Sequence, residues 1–230
     1  MKINIYQGSN PPSEKADITI VIDVLRAFTV AHYAFMRGAK SIFLAGTVEE
    51  AFSFKKKNPT YLLAGEINGV AIENFDLDNS PYKIQRKNLN DATLVQKTTN
   101  GVRATLNHME SGNVFVTGFS NARNTAEYVK ELCNSKGEEQ VVHIVASHPD
   151  GDDDLACAEY IRKILEGLPI SSISVAQRIK ESDVARKFFD RERKAFLKED
   201  VFICMREIKS DFVMKVIKTR NLPKIERVHI

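Results

Sequence analysis

Short runs of branched apolar residues alternate with helical patterns along most of this chain, and this alternation restricts the fold more than any other feature. The run from Ile18 to Ile22 stops at Asp23, and a helical pattern begins near Ala27. Strands that alternate with helices favour parallel pairing, with helices covering both faces of the sheet. The sequence therefore predicts an α/β fold in three layers, α/β/α, around a central mixed, largely parallel sheet. The other strand candidates are Lys2 to Tyr6, Ser41 to Ala45, Tyr61 to Ala64, Thr93 to Lys97, Val114 to Thr117 and Val141 to Ala146.

Length and composition fit one domain built on this plan. The chain has 230 residues with 43% hydrophobic content, which is enough to bury a core without disulfides. We predict a single α/β domain over residues 1–230. Its C-terminal part, from about residue 168, is strongly charged and is predicted to be rich in helix. Within that part, the segment from Glu199 to Ile217 fits a helix and a strand equally well.

Cysteine usage and charge bound the setting and the partners. Three cysteines, Cys133, Cys157 and Cys204, lie far apart without the spacing of a zinc site or a disulfide framework, which favours a reducing, cytoplasmic setting. The formal net charge of +3 is small and spread along the chain, so neither nucleic acid nor a membrane is predicted as a partner. We expect a small-molecule partner, and the sequence leaves a homo-oligomer open.

Polar residues follow several of the predicted strands. They include Asp23, Glu66, the segment Thr98 to Gly101, the segment Gly118 to Asn121 and Ser147. Because ligands of open α/β sheets bind outside the carboxyl ends of the strands, we expect these residues to share one cleft. Of the five histidines only His148 falls near this cleft, either as an acid or base or as a solvated loop residue.

Two kinds of ligand chemistry are suggested by these strand ends. The carboxylates at Asp23, Glu66 and Asp152 to Asp154 are hard oxygen ligands of the kind that suits Mg²⁺, although each could also serve as a turn or helix-capping residue. The segments Lys97 to Arg103 and Gly118 to Arg123 each lead from a strand into a helix with cations nearby. Such a helix start can bind an anion, or its polar residues can simply cap the helix.

Several phosphate-handling motifs are absent. Asp23 would be the nucleophile of a haloacid-dehalogenase-type phosphatase, but Leu25 stands where that mechanism needs its acid. Cys157 and Arg162 form Cys-x4-Arg, one residue short of the loop of the cysteine phosphatases. No Gly-x4-Gly-Lys-[Ser/Thr] loop is present, which argues against a P-loop nucleotide site.

Five short segments occur along the chain in a distinctive order. They are Ile22-Asp23-Val24-Leu25-Arg26-Ala27, Gly65-Glu66, Asn79-Ser80-Pro81, Thr98-Thr99-Asn100-Gly101 and Asp153-Asp154-Leu155-Ala156-Cys157-Ala158. This combination resembles the 2-phosphosulfolactate phosphatase family over about residues 17 to 165. The resemblance implies a three-layer α/β/α fold and Mg²⁺-dependent removal of phosphate from 2-phosphosulfolactate, which gives sulfolactate on the route to coenzyme M. The chain departs from the family pattern Glu-Asp-x-x-Cys-Ala-Gly by having Asp153 in the first position and Glu159 in the last.

The resemblance and the residues together define a predicted site for a small anionic phosphoester. The predicted catalytic residues are Asp23, Arg26 and Asp154. The predicted ligands of Mg²⁺ are Asp23, Glu66, Asp153 and Asp154. The predicted substrate-binding residues are Arg26, Lys97, Thr99, Asn100, Gly101, Ser120 and Asn121. The alternative function is a non-catalytic sensor or binding protein for a small phosphorylated or sulfonated metabolite.

Overall fold

The computed structural model describes all 230 residues and contains ten strands and nine α-helices. The strands are β1 (Lys2–Gln7), β2 (Ile18–Ile22), β3 (Ser41–Leu44), β4 (Leu62–Ile67), β5 (Val70–Ala71), β6 (Thr93–Lys97), β7 (Asn113–Thr117), β8 (Val141–Ala146), β9 (Phe212–Ile217) and β10 (Lys224–His229). The helices are α1 (Ala27–Met36), α2 (Val48–Lys57), α3 (Pro81–Ile84), α4 (Gly101–Asn107), α5 (Ala122–Asn134), α6 (Asp152–Glu166), α7 (Ser172–Glu181), α8 (Asp183–Arg186) and α9 (Lys198–Cys204). Every strand predicted from the sequence is present. No helix has the length and apolar character needed to cross a bilayer.

The ten strands form one mixed sheet in the order β1-β8-β2-β7-β9-β10-β3-β6-β4-β5. One group of parallel strands contains β1, β8, β2 and β7, and a second contains β3, β6 and β4. Between them lie three antiparallel steps, from β7 to β9, from β9 to β10 and from β10 to β3. The two parallel groups therefore run in opposite directions. The predicted mixed, largely parallel sheet is confirmed.

Helix α1 lies at the centre of the molecule. Nine of its ten residues are buried, as expected for a helix that is apolar on all sides. One core cluster combines α1 with Val116 of the first parallel group and with Ile42 and Leu94 of the second. The opposite face of the first group packs on α5 and α6, and that of the second packs on α2. Helices thus cover both faces of the sheet, which confirms the three-layer α/β/α prediction.

The C-terminal part contains both helices and strands. It contains the helices α7, α8 and α9, in agreement with the sequence pattern, with turns between α8 and α9, and then forms the β9–β10 hairpin in the middle of the sheet. The ambiguous segment from Glu199 to Ile217 divides between α9 and β9. The charged run from Asp190 to Lys194 forms exposed turns and not a helix face.

The departure at Glu159 joins two helices of this part to each other. Glu159 of α6 accepts a hydrogen bond from Arg178 of α7 at 2.5 Å, and the same guanidinium bonds Asp152 at the start of α6. A glycine at position 159 could not make this contact. Glu159 therefore adds a second ion pair between α6 and α7 beside that of Asp152 with Arg178.

Candidate active site

The ends of β2, β4 and β6 meet at a polar cleft of about 210 Å³. Strands β2 and β6 belong to oppositely directed groups, yet the Gly101 N–H after β6 donates to the Asp23 carboxylate after β2 at 2.9 Å. The sheet therefore curves around α1, and a single straight sheet edge would not bring these ends together. Five of the predicted site residues line the cleft, namely Asp23, Arg26, Glu66, Thr99 and Asn100.

Asp23 is held by backbone donors on both of its oxygens. Oδ1 accepts the Ala27 N–H at 2.8 Å, and Oδ2 accepts the Gly101 N–H. Burial raises the pKa of Asp23 to about 6, and the charge of Glu66 adds to this increase, whereas the two backbone N–H groups and Arg26 oppose it. The sequence achieves this geometry with glycine at position 101, since a Cβ there would lie 2.6 Å from Asp23 Oδ2.

Glu66 ties the β4–β5 turn to the segment after β6. Its carboxylate accepts the Thr99 N–H at 2.5 Å and the Thr99 hydroxyl at 3.0 Å, and it also accepts the Gly69 N–H. The Thr99 hydroxyl in turn accepts the Asn68 N–H at 2.8 Å. Glu66 is thus a buried acid whose present partners all come from the cleft wall.

Asp153 and Asp154 open α6 beneath the cleft, and their surroundings differ. Asp154 accepts the Val24 N–H at 2.7 Å, the His148 N–H at 3.0 Å and the Ser147 hydroxyl at 3.1 Å, so it fixes the turns after β2 and β8. Asp153 is 2% exposed, and its Oδ1 has no hydrogen-bond partner. Burial first, and then the charge of Asp23, raises the pKa of Asp153 to about 7. Burial and the charges of Asp153 and Asp23 raise the pKa of Asp154 well above its usual range.

Arg26 is a buried cation that already has protein partners. It donates to Asp200 at 2.9 Å and to the Gly69 carbonyl at 2.7 Å. Its guanidinium lies 5.2 Å from the ring centre of Phe188 and 5.6 Å from that of Phe196. Two of its five N–H donors are used in these bonds, and the remaining donors stay available at the cleft.

Asp200 completes this arrangement and was not singled out from the sequence. It is fully buried, and besides Arg26 it accepts the Ser80 hydroxyl at 2.6 Å and the Tyr82 N–H at 3.1 Å. Burial raises the pKa of Asp200, and the Arg26 charge opposes the increase. Ser80 of the Asn79-Ser80-Pro81 motif therefore affects the cleft through Asp200, which holds Arg26. Only its place in the motif indicated a role for Ser80, and Asp200 lies in the segment that fitted a helix and a strand equally well.

The C-terminal part supplies one wall of the cleft, which the sequence did not predict. This wall contains Lys187, Phe188 and Phe196, and His148 lines the cleft after β8. Burial and the positive charge of Arg26 lower the pKa of Lys187, whereas Asp153, Glu66 and Asp23 favour its charged form. Burial and the Lys187 charge lower the pKa of His148.

Four predicted substrate-binding residues do not line the cleft. Gly101 is buried beneath it and acts through its N–H, and Lys97 points its ammonium toward the Glu66 carbonyl at 3.4 Å. Ser120 is buried against His32 Nδ1 at 2.9 Å, and Asn121 bonds Thr117 at 3.0 Å. The turn after β7 repeats the sequence pattern of the cleft segments, but its polar groups are satisfied inside the protein.

A larger, more open groove of about 930 Å³ lies elsewhere, along α5 and the segment before β9. Arg123 lies there, where it donates to Glu207 at 3.0 Å and to the Tyr160 hydroxyl. Arg123, from the candidate anion-binding segment Gly118 to Arg123, lines this groove, but none of the predicted catalytic or metal-binding residues does. The smaller cleft at Asp23 is therefore the candidate active site, since it gathers the buried acids and cations.

The donor chemistry of the cleft fits a hard divalent cation. No three His, Cys, Asp or Glu side chains converge to hold a metal ion by themselves. Mg²⁺ usually takes only one or two protein carboxylates and completes its shell with water and phosphate oxygens. Asp23 and Asp153 match this requirement, since their charges repel each other and one oxygen of Asp153 has no partner.

Comparisons with known proteins identify the family of this chain. A family model described as 2-phosphosulpholactate phosphatase matches residues 5–219. The chain belongs to the 2-phosphosulfolactate phosphatase family. A relative from Bacillus subtilis, named as a probable 2-phosphosulfolactate phosphatase, is 53% identical over the full length of both chains. A relative of the same name from Caldicellulosiruptor saccharolyticus is 31% identical over 90% of this chain and 91% of its own length. Another, from Clostridium beijerinckii, is 31% identical over 81% of this chain and 76% of its own length.

Membership of this phosphatase family confirms two predictions. The resemblance seen in the motifs is correct, and it extends further along the chain than residues 17 to 165. The chain is an enzyme of the phosphoric monoester hydrolase class. The family match also reaches the C-terminal part that supplies Lys187, Phe188 and Phe196 to the cleft.

Proposed function

We propose that this enzyme hydrolyses 2-phosphosulfolactate to sulfolactate and phosphate in a Mg²⁺-dependent reaction, with the Asp23 cleft as its active site. The observation that carries the proposal is one cleft in which the acids Asp23 and Glu66 face the cations Arg26 and Lys187, in a chain of this family. The relatives named above carry the same substrate in their names.

Charge balance explains why the cleft contains acids and cations together. The proposed substrate carries phosphate, sulfonate and carboxylate groups, which amount to roughly three or more negative charges. Asp23, Glu66 and Asp153 would repel such a molecule. A bound Mg²⁺, held by Asp23 and Asp153, would neutralise negative charge on the phosphoryl group. On the cationic side, the free N–H donors of Arg26 suit planar, bidentate contacts with an oxyanion.

The raised pKa values supply a group that can move a proton near neutral pH. Asp23 has its pKa raised to about 6, and Asp153 has its pKa raised to about 7, chiefly by burial in both cases. A carboxylate with a pKa of about 6 is largely ionised at pH 7 and can accept the proton of an attacking water, whereas one with a pKa of about 7 is half ionised there. Asp23 lines the cleft, so it can serve either as this base or as a ligand of Mg²⁺.

The roles of Glu66, Asp154 and Thr99 are to hold these groups in position. Glu66 fixes the Thr99-Asn100-Gly101 segment through its bonds to Thr99, and that segment presents Gly101 N–H to Asp23. Asp154 fixes the turn after β2 through the Val24 N–H. Both acids were predicted as direct metal ligands, and we now propose that they act mainly by positioning.

The setting of the reaction follows from the same proposal. The three cysteines are free and buried, which is compatible with work in a reducing cytoplasm. Sulfolactate as the product would place the enzyme on a route of the coenzyme M type. Cells with and without the enzyme can be compared for labelled compounds formed from sulfolactate, and this comparison would test that placement.

Phosphate release from a panel of small phosphomonoesters tests the proposed activity. We expect 2-phosphosulfolactate to be hydrolysed with Mg²⁺ present and not after EDTA treatment, with activity restored by added Mg²⁺. Unchanged activity in EDTA would contradict the metal requirement. Tight binding of 2-phosphosulfolactate without release of phosphate would instead support the sensor alternative.

A further inference from the structure

Lys187 is a cation of the cleft that has no anionic partner in the protein. It lies just after α8, is half-buried and lines the cleft, yet it makes neither an ion pair nor a hydrogen bond with a carboxylate. Arg26, in contrast, is already bonded to Asp200. A partly buried ammonium without a counterion is costly unless a ligand compensates it.

Two aromatic rings hold Lys187 beside Arg26. The Lys187 ammonium lies 4.9 Å from the ring centre of Phe196 and 5.9 Å from that of Phe188, and Arg26 packs on the same two rings. Gly69 makes room for Phe196, since a Cβ at Gly69 would collide with that ring. The rings thus keep two like charges together on one side of the cleft, although these charges repel each other.

The two sides of the cleft differ in charge, and this difference separates the anionic groups of a substrate. Asp23 and Glu66 line the acidic side, which accepts an anion only together with a divalent cation. Lys187 and the aromatic rings form the other side, which can accept an anion directly and can also pack against a carbon skeleton.

We propose that Lys187 is a specificity-determining residue that binds the anionic group of the substrate other than the phosphoryl group, namely its sulfonate or carboxylate. This inference rests on the proposed function for the identity of the substrate. It predicts that Lys187 contributes to the binding of sulfolactate. The binding of inorganic phosphate should instead depend on the acidic side of the cleft and its metal.

Binding of sulfolactate and of inorganic phosphate, measured separately by calorimetry in Mg²⁺, tests the proposal. In Lys187→Met we expect the affinity for sulfolactate to fall by about tenfold or more, as for loss of a charge-assisted hydrogen bond, and the affinity for phosphate to fall by less than about threefold. Lys187→Arg should retain most of the sulfolactate affinity. Arg186→Met is the matched control, because it removes a neighbouring charge that is 78% exposed and pairs with Asp183.

Three results would overturn the proposal, namely no binding of sulfolactate to the unmodified enzyme, no loss of affinity in Lys187→Met, or equal loss for both ligands. Lys187→Gln provides a second variant if Lys187→Met unfolds, as judged by circular dichroism. Phosphate release by the unmodified enzyme is a separate readout. If sulfolactate binding depends on Lys187 but no phosphate is released from 2-phosphosulfolactate, the proposed function fails and the assignment of Lys187 stands.

Discussion

At the scale of single residues, Asp200 determines how Arg26 is held in the cleft. The Arg26 side chain is 4% exposed and that of Asp200 is fully buried, so each compensates a charge that water cannot reach. Breaking a buried pair from one side leaves the other charge unpaired, which is far more costly than losing a surface pair.

Asp200→Ala should therefore lower both stability and activity. We expect a loss of about 3–5 kcal/mol in the free energy of unfolding, measured with urea, because Arg26 would stay buried without its partner. The control is Asp183→Ala, which removes the partner of Arg186 in a pair that is exposed on both sides and should change stability little. Equal stability of the two variants would show that Arg26 does not depend on Asp200.

The buried acids predict an unusual pH dependence for the metal-free protein. The pKa of Asp153 is raised to about 7, chiefly by burial and the Asp23 charge, and that of an unfolded aspartate is about 3.9. The folded state therefore binds this proton more tightly than the unfolded state does. The resulting stability is complete below about pH 4 and is lost as the pH rises through about 7.

Thermal unfolding in EDTA between pH 5 and pH 8 checks this prediction. We expect the melting temperature to fall as the pH rises. In Asp153→Asn the decrease in melting temperature should be smaller. At pH 8 the free energy of unfolding of the variant should exceed that of the unmodified protein by on the order of 1–3 kcal/mol. A variant that is less stable than the unmodified protein at pH 8 would contradict the cause given for the raised pKa.

At the scale of elements, the start of α4 is built so that its backbone approaches Asp23. The Gly101 N–H donates to Asp23, and an added Cβ would lie 2.6 Å from Asp23 Oδ2 and 2.9 Å from Asp23 Cβ. Neither atom can move far, since the same carboxylate also accepts the Ala27 N–H. The approach of α4 to β2 therefore leaves no room for a side chain at position 101.

Gly101→Ala should lower turnover much more than it lowers stability. Displacing Asp23 by about 1 Å is expected to reduce kcat by about hundredfold. The control is Gly137→Ala, which has a φ of +70° but nothing within 4 Å of an added Cβ, so it should reduce stability and leave turnover unchanged. Normal turnover in Gly101→Ala would show that Asp23 tolerates this displacement.

The elements that were hardest to predict from the sequence are those fixed by distant partners. The strand Lys224–His229 was not predicted, because its charged and apolar residues alternate as they do in surface segments. Its position is set by antiparallel pairing with the neighbouring strand β9 and with β3, which is remote in sequence. In contrast, the parallel strands from β2 to β8 were predicted closely, since each is a local run of apolar residues.

The same reason explains which site residues could be predicted. Asp23, Glu66 and Thr99 were found because each directly follows or ends a recognisable strand. Ser120 and Asn121 share that pattern, but His32 and Thr117 satisfy their side chains inside the protein. Lys187 lies in a charged segment that resembles a solvated surface. Its place at the cleft, beside Phe188 and Phe196, is seen only in the folded structure.

At the scale of the whole molecule, the β9–β10 hairpin joins the two parallel groups. It supplies every strand between β7 and β3, and Met214 of β9 is fully buried in the core cluster around α1. The C-terminal 19 residues therefore complete the sheet, and the curvature that brings β2 and β6 together depends on them.

Met214→Ala should destabilise the whole fold. Truncation of a fully buried methionine costs about 2–5 kcal/mol, which urea unfolding would detect. The control is Ile173→Ala, since Ile173 is 80% exposed and its truncation should have little effect. A Met214→Ala variant as stable as Ile173→Ala would show that the hairpin contributes little to the core.

The account as a whole depends on Asp23 being the centre of catalysis. Asp23→Asn removes the charge and keeps the size, but its single amide oxygen can accept only one of the Ala27 and Gly101 N–H groups, so folding of the variant must be measured as well. The most direct test is the rate of phosphate release from 2-phosphosulfolactate by this variant at saturating Mg²⁺, with urea unfolding as the check on folding. We predict a loss in kcat of about 10²–10⁴-fold in a folded protein. A folded Asp23→Asn variant with the turnover of the unmodified enzyme would contradict the assignment of this cleft.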